Sequence, residues 1–133
     1  MTEATQVDDA VRRHLGPLGH FKRVTHATEA GWPDFHFVLR GQQGWLEDKL
    51  IPPSRRCPST FTLDQLRWGE AEVAAGGSWH LLGLEPRTRT WMLFNVVQAG
   101  MWFAGRDGYG LVVEATGVFP TKELVLALAP RRS

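Results

Sequence analysis

The stretch AGWPDFHFVLRGQQGWLEDKLIPP, residues 30–53, decides the fold prediction because two apolar runs in it carry charged side chains. Each run is typical of a β-strand, and the glycine-containing connection at residues 41–44 has the spacing of a hairpin loop. The two strands are therefore expected to pair antiparallel. That pairing makes the strand with Asp34 a neighbour of the strand that carries the charged residues 47–49.

The flanking segments predict helices and a further strand around this hairpin. Residues 6–15 have apolar residues at helical spacing before a Gly-Pro stop signal, and residues 20–27 can form a short strand. Residues 60–77 predict a second helix, which begins at a Thr62 cap and ends at a Gly-Gly pair. The expected apolar stripe of this helix consists of Leu63, Leu66, Val73 and Ala74.

The rest of the chain is less regular. Residues 78–85 and 90–97 resemble strands separated by a turn. The segment FAGRDGYG, residues 103–110, is expected to be a turn because it lacks the lysine-serine ending of a phosphate-binding loop. Residues 121–129 fit either a short helix or a strand. The predicted order is helix, three strands, helix and two strands, in an α/β fold with an undefined end.

Length and composition fit one compact domain, residues 1–133, with a hydrophobic core. The chain is 43% hydrophobic, and 15 Lys and Arg against 14 Asp and Glu give a net charge of +1, so a basic surface for nucleic acid must be local. The single Cys57 excludes an internal disulfide and a multi-cysteine zinc site. No export signal and no apolar run of about 18 residues is present, so we expect a soluble cytoplasmic protein without a membrane span.

Alternation along the two strands predicts a charged cluster at the hairpin. Side chains two residues apart share a face, so Asp34 lies with His36, and Glu47 lies with Lys49. A register that aligns these faces gathers two carboxylates and an ammonium group. Such carboxylates suit a divalent metal such as Mg²⁺, which would activate a water and neutralise charge on a phosphate under attack. Lys49 would orient that water or stabilise the transition state.

Ordinary structural roles explain each motif when it is taken alone. Asp after Pro at a strand start is common turn chemistry, and a Glu and a Lys two positions apart occur on solvated strand faces. Together, on neighbouring strands with faces that can coincide, the two motifs favour a functional site. Two alternatives stay open: a non-catalytic DNA-binding or scaffold protein with the same fold, and a plain interaction domain with coincidental carboxylates.

The order of these motifs resembles the PD-(D/E)XK nuclease superfamily, and within it the branch of VRR-NUC domains and phage-type Holliday-junction-resolvase-like proteins. The likeness spans residues 7–84 and is carried by Pro33-Asp34, by Glu47-Asp48-Lys49 and by the QxxW pair Gln65 and Trp68. A PD pair and an ExK triplet are individually weak patterns, but their order and spacing together with the QxxW helix are fairly specific. The resemblance implies a restriction-endonuclease-like core with a mixed central sheet flanked by helices. It also implies a metal-dependent DNA endonuclease that acts on junction or branched DNA in replication, recombination or repair.

The resemblance further implies a role for each matched residue. Asp34 and Glu47 would be the carboxylate ligands of Mg²⁺ or Mn²⁺, and the backbone carbonyl of Asp48 would complete the inner shell. Lys49 would be the catalytic lysine, and Gln65 would reach towards the site from its helix.

An acidic residue of the first helix often joins such a site. Asp8 and Glu3, with Asp9 as a further candidate, compete for that place. One active site per chain cannot easily cut both strands of a duplex or junction, so a homodimer is expected.

The middle residue of the triplet departs from the family pattern, in which it is usually apolar. Asp48 predicts either a partly wet sheet face or a partner such as an arginine. The hypothesis that Asp48 replaces Glu47 as the ligand is less favoured, because Lys49 would then lie on the other side of the strand.

The QxxW pair also allows a structural interpretation. Thr62 and Gln65 fit a capping box, in which the Gln65 side chain returns a hydrogen bond to the start of the helix. Trp68 lies away from the predicted apolar stripe, so it either packs beneath the site or touches substrate.

Several residues around the site are candidates for DNA contact, since arginine and lysine near a metal site position the phosphate backbone of a duplex. These candidates are Arg12, Arg13, Lys22, Arg23, Arg55, Arg56 and Trp68. For each cation alone, a solvated surface charge is the commoner role.

Overall fold

A computed structural model describes residues 3–25 and 30–130, with only the backbone for Glu3 and Ala4. Within these ranges the chain forms four α-helices, six β-strands and one short 3₁₀ turn. The helices are α1 (Glu3–His14), α2 (Leu63–Ala74), α3 (Val96–Phe103) and α4 (Thr121–Leu128), and the 3₁₀ turn is Gly16–Leu18. The strands are β1 (Gly19–Arg23), β2 (Phe35–Leu39), β3 (Gln42–Leu50), β4 (Trp79–Glu85), β5 (Thr90–Asn95) and β6 (Val113–Thr116).

The described strands form one mixed sheet in the order β1-β2-β3-β4-β5-β6. Strands β3 and β4 are parallel, and the other neighbouring pairs are antiparallel. A parallel pair needs a crossover connection, which here contains α2. The predicted mixed sheet with flanking helices is therefore confirmed.

Helices cover both faces of this sheet, and each face has its own buried cluster. The face under α1 and α4, called the α1 face, is packed with Val7, Val11, Leu15, Phe35, Phe37, Leu39, Leu46, Leu82, Leu84, Trp91, Leu93, Leu124 and Leu128. The face under α2 and α3, called the α2 face, is packed with Ile51, Phe61, Leu66, Trp79, Leu81, Met92, Phe94, Ala99 and Trp102. A strand that is covered on both sides reads as an apolar run, which explains why the charges of β3 stand out.

The hairpin between β2 and β3 is tighter than predicted. Leu39 pairs with Gln42, so the turn consists only of Arg40 and Gly41, whose φ angles are 52° and 78°. Two consecutive positive φ angles are typical of the two-residue turns that match strand twist. Gly44 was predicted in the loop but lies in β3 opposite Phe37, where an added Cβ would collide with the ring. This glycine therefore permits a close approach within the sheet.

Helix α2 has the predicted N-cap, Thr62, but not the predicted apolar face. Leu63 is 49% exposed and Val73 is 37% exposed, and Ala74 is exposed as well, whereas the buried residues of the helix are Leu66 and Gly69. Of the predicted stripe, Leu66 is buried and the other three residues are exposed, and the prediction missed Gly69 because a glycine has no side chain to mark an apolar face. The helix instead approaches the sheet through Gly69.

The remaining differences lie at the ends of elements. Strand β1 stops at Arg23, and residues 26–27 of the longer strand predicted there lie outside the described residues. The strand predicted over residues 90–97 ends at Asn95, whose side chain caps α3, and residues 121–128 are helical. No helix in the described part of the chain is long and apolar enough to cross a membrane.

Candidate active site

The charged residues of β3 divide between the two faces of the sheet. Trp45 packs on the α2 face and Leu46 on the α1 face, so alternation turns Glu47 and Lys49 towards α2 and Asp48 towards α1. All three charged residues are buried, with exposures of 1% for Glu47, 1% for Asp48 and 4% for Lys49. Burial lowers the effective dielectric constant around them, which strengthens every charge interaction there.

Asp34 lies at a bend directly before β2 and reaches β3 through a hydrogen bond. Its Oδ2 accepts from the backbone N–H of Asp48 at 2.8 Å, and its side chain stays 24% exposed. Phe35 pairs with Leu46, so the next residues outward, Asp34 and Glu47, are neighbours at this end of β2. Asp34 and Glu47 are therefore adjacent along the chain direction of the β2–β3 pair, and Lys49 lies two residues further along β3 on the face of Glu47.

Lys49 is held by a residue that sequence reasoning missed. Its Nζ donates a hydrogen bond of 2.8 Å to the backbone carbonyl of Thr60, in the loop before α2. A backbone carbonyl has no sequence signature, so only the fold shows this contact.

On the α1 face, the carboxyl of Asp48 lies next to that of Asp8. Asp8 is 7% exposed and forms an ion pair with Arg23, whose other nitrogen lies 3.9 Å from Asp34 Oδ1. Asp8 is therefore the acid of α1 that lies close to the site, whereas Asp9 is exposed. The side chain of Glu3 lies outside the described residues.

Burial raises the pKa of Asp48 well above its ordinary value, and a hydrogen bond to Asp8 and the negative charges of Asp34, Asp8 and Glu47 raise it further. Neither carboxyl oxygen of Asp48 has a donor among the described residues. Asp8 offers only another carboxyl, so a hydrogen bond between the two acids requires a proton on one of them. The face is buried, so the expectation of a wet face was wrong, whereas Asp48 has a side-chain partner as the alternative expected, although that partner is Asp8 and not an arginine.

Gln65 forms the capping box in the structure. Its side chain accepts from Thr62 N–H at 2.9 Å, and its own N–H donates to Thr62 Oγ1 at 3.3 Å. The hydrogen bond of its carboxamide oxygen therefore goes to the start of α2.

Trp68 packs with two other tryptophans on the α2 face. Its ring centroid lies 5.3 Å from that of Trp32 and 5.0 Å from that of Trp45, and His36 stands 4.7 Å from Trp45. All four rings are half-buried. This aromatic cluster holds α2 against the residues that precede and follow Asp34.

The cationic candidates for DNA contact have different environments. The guanidinium groups of Arg12 and Arg23 lie 5.9 and 6.0 Å from the Phe35 ring centroid. Arg55 forms an ion pair of 3.0 Å with Glu114. The exposed candidates also include Arg13, Lys22 and Arg56. Arg23 contacts the carboxylates of both Asp8 and Asp34, so it is the candidate with direct contacts to residues of the site.

The predicted donors are oxygen atoms, the type that a hard divalent cation takes. No three His, Cys, Asp or Glu side chains are grouped to hold a metal within residues 3–25 and 30–130. The predicted set instead combines the carboxylates of Asp34 and Glu47 with the carbonyl of Asp48. Mg²⁺ commonly takes one or two carboxylates and completes its shell with waters and substrate phosphate oxygens, so two carboxylates suffice.

The fold is similar to solved structures of nuclease type. A structure described as a VRR_NUC domain aligns with a TM-score of 0.50 and 20% identity, over 62% of this chain and 86% of that one. The Hjc Holliday junction resolvase of Archaeoglobus fulgidus aligns with a TM-score of 0.49 and 16% identity, over 69% of this chain and 75% of that one. No family model and no curated protein matches the sequence. The predicted resemblance is confirmed for the fold: the chain has the α/β architecture of a VRR_NUC domain.

Proposed function

We propose that this chain is a metal-dependent endonuclease that hydrolyses phosphodiester bonds in DNA. The observation that carries the proposal is the position of Asp34, which lies at the end of β2 next to β3, the strand that carries Glu47 and Lys49 on one face. The hydrogen bond from Asp48 N–H to Asp34 supports it, because it turns a loop carboxylate towards the strand that carries the other two groups.

Asp34, Glu47 and the carbonyl of Asp48 would hold Mg²⁺ or Mn²⁺. When bound, the cation would supply positive charge next to the scissile phosphate and acidify an attacking water. Lys49 lies on the same strand face as Glu47, and the Thr60 carbonyl directs its ammonium group. It would orient the attacking water or stabilise charge on the phosphate, and low exposure of the lysine makes that charge more effective.

Branched or junction DNA is the substrate class that we propose. The support is the resemblance of the PD, ExK and QxxW motifs to the branch of VRR-NUC and resolvase-like proteins. A homodimer would place two active sites on the two strands of such a substrate. Sedimentation velocity on the full chain tests the dimer, since a monomer at the concentration used for cleavage would contradict it.

Cleavage of labelled four-way junction, flap, duplex and single-stranded DNA tests the activity. Wild-type protein should cut at least one of these with Mg²⁺ or Mn²⁺ and none with EDTA. Glu47→Gln and Lys49→Met should lower the rate at least about 100-fold, the usual effect of losing one preorganised charge partner. Lys122→Gln is the control, because Lys122 is exposed on α4, which packs on the opposite face. DNA binding without cleavage in any metal would favour the non-catalytic scaffold instead.

A further inference from the structure

A groove lies on the α2 face, beside the loop that follows β3. Its volume is about 550 Å³. One wall is formed by residues 54–57, and the other by residues 102–109 at the end of α3 and in the segment after it. The Trp102 indole N–H donates to the Arg55 carbonyl at 2.9 Å, so the two walls are fastened to each other.

The groove carries more positive than negative charge. It is lined by Arg55, Arg56 and Arg106, with Asp107 as the acid among its lining residues. Arg55 is paired with Glu114, whereas Arg56 and Arg106 are exposed and have no ion pair among the described residues. Two free guanidinium groups in one groove are suited to phosphate oxygens.

Aromatic rings complete the lining. Phe103 and Tyr109 are half-buried, and each is packed from behind: Phe103 against Phe61, with ring centroids 5.8 Å apart, and Tyr109 against Phe94, also at 5.8 Å. A rigid ring with a free edge or face beside arginines is the combination that binds unpaired nucleotides, because stacking tolerates any base.

The groove is connected to the candidate active site by a short segment of chain. The loop that supplies Arg55 and Arg56 starts after Lys49 on β3 and ends near Thr60, whose carbonyl holds Lys49 Nζ. The groove residues Trp102, Phe103 and Tyr109 also belong to the cluster of the α2 face, which is the face towards which Glu47 and Lys49 point.

We propose that this groove binds one unpaired strand of a DNA substrate, with phosphates at Arg56 and Arg106 and a base against Phe103 or Tyr109. A volume near 550 Å³ is that of a site for one small ligand, so it has room for a nucleotide or two, and stacking on a ring requires an unpaired base. The inference rests on the proposed nuclease function and adds a preference for substrates with a single-stranded arm.

Fluorescence anisotropy in EDTA tests this without cleavage. The probes are a labelled single-stranded oligonucleotide and the fully paired duplex of the same sequence. Wild-type protein should bind the single strand more tightly. Arg56→Gln and Arg106→Gln should each weaken that binding about fivefold and lower the salt slope by about 0.7. Lys122→Gln removes the same charge from the opposite face and should leave the affinity unchanged.

The outcomes separate the groove from the nuclease proposal. If the wild type and both arginine variants bind the single strand equally well, the proposal that the groove binds DNA is overturned, even where the wild type cleaves DNA. The same follows if the wild type prefers the duplex or binds no oligonucleotide. Loss of binding in the arginine variants, with no cleavage of any substrate in Mg²⁺ or Mn²⁺, supports the groove and overturns the nuclease proposal alone.

Discussion

The backbone N–H of Asp48 donates a hydrogen bond of 2.8 Å to the carboxylate of Asp34, which ties the residue before β2 to the middle of β3. Asp34 lies outside the β2 ladder, so this bond and the Arg23 guanidinium, 3.9 Å from Oδ1, set the direction of the carboxylate. Asp48, the middle residue of the triplet, therefore contacts the candidate site through its backbone N–H, independently of its side chain.

Asp34→Asn and Asp34→Ala separate the structural and chemical roles of this carboxylate. Asn keeps an acceptor for the Asp48 N–H, whereas Ala leaves a buried donor unpaired at a cost of about 1–3 kcal/mol. We expect urea unfolding to show a lower free energy of unfolding for Ala than for Asn. Both variants should lose cleavage, because neither supplies a charge to the cation. Cleavage by Asp34→Asn at the wild-type rate would contradict the metal role.

Asp48→Asn should stabilise the protein at neutral pH and above. Because burial and neighbouring acids raise the pKa of Asp48 in the folded state, the folded protein holds its proton more tightly than the unfolded chain. The stability that Asp48 contributes is thus largest at low pH and is lost as pH rises, by about 1.4 kcal/mol per unit of raised pKa. Asn cannot titrate, and its amide can donate to Asp8.

Urea unfolding in EDTA from pH 5 to pH 8 measures this difference. The gain of Asp48→Asn over wild type should grow with pH. A gain that is the same at both ends of the range would show that the carboxyl of Asp48 does not titrate differently in the folded state.

The sequence predicted those features that depend only on residues close together in the chain. Thr62 and Gln65 fit a capping box by spacing alone, and the box is present in the structure. Gly44 shows the limit of such reasoning, because a glycine between two strands usually marks a turn. Here the ring of Phe37 across the sheet requires the glycine, and that contact depends on a register that no local pattern contains.

The partners of the site residues were only partly predictable from the sequence, for the same reason. Asp34, Glu47 and Lys49 could be singled out because an acid or an ammonium group stands out in an apolar run. Asp8 was one of three candidate acids of the first helix, among which the sequence did not choose, and Thr60 carries no signal because a carbonyl is present in every residue. Only the packing of α1 and of the loop before α2 against β3 identifies them.

Gly69→Ala and Gly100→Ala should have opposite effects on stability, although both glycines lie inside helices. A Cβ at Gly69 would stand 2.6 Å from Cδ2 of Trp79, so α2 would have to move away from the sheet, at a cost of about 1–3 kcal/mol. The nearest atom to a Cβ at Gly100 is Leu66 Cδ1 at 4.0 Å, and Ala there should stabilise by about 0.5–1 kcal/mol. Thermal unfolding of both variants is the measurement. Destabilisation by Gly100→Ala equal to that by Gly69→Ala would contradict the role of the Trp79 contact.

His80 should make the protein sensitive to acid. Burial lowers the pKa of His80 from 6.5 to about 4, and its Nδ1 has no hydrogen-bond partner among the described residues. The unfolded chain therefore binds a proton at a pH where the folded protein does not. Stability should fall by up to about 1.4 kcal/mol per pH unit as the pH drops from 6.5 towards 4. His80→Gln should remove this slope in urea unfolding, and an unchanged slope would assign the acid sensitivity to other groups.

Thr62→Ala and Gln65→Ala decide whether Gln65 acts in catalysis or only caps α2. Each variant removes one of the two reciprocal hydrogen bonds at the start of the helix, so each should lower the free energy of unfolding by about 1 kcal/mol. If the cap is the whole role, the two variants should also cleave DNA at the same rate at a temperature where both are folded. We expect equal rates, since the carboxamide oxygen of Gln65 is already bonded to Thr62 N–H.

A cleavage rate for Gln65→Ala at least about tenfold below that of Thr62→Ala would instead mean that Gln65 turns towards substrate in the complex. That result would support the catalytic role that the family resemblance implies. Gln65→Glu is a further variant that keeps the cap, because Glu also completes a capping box, so it should preserve the free energy of unfolding while it adds a negative charge at position 65.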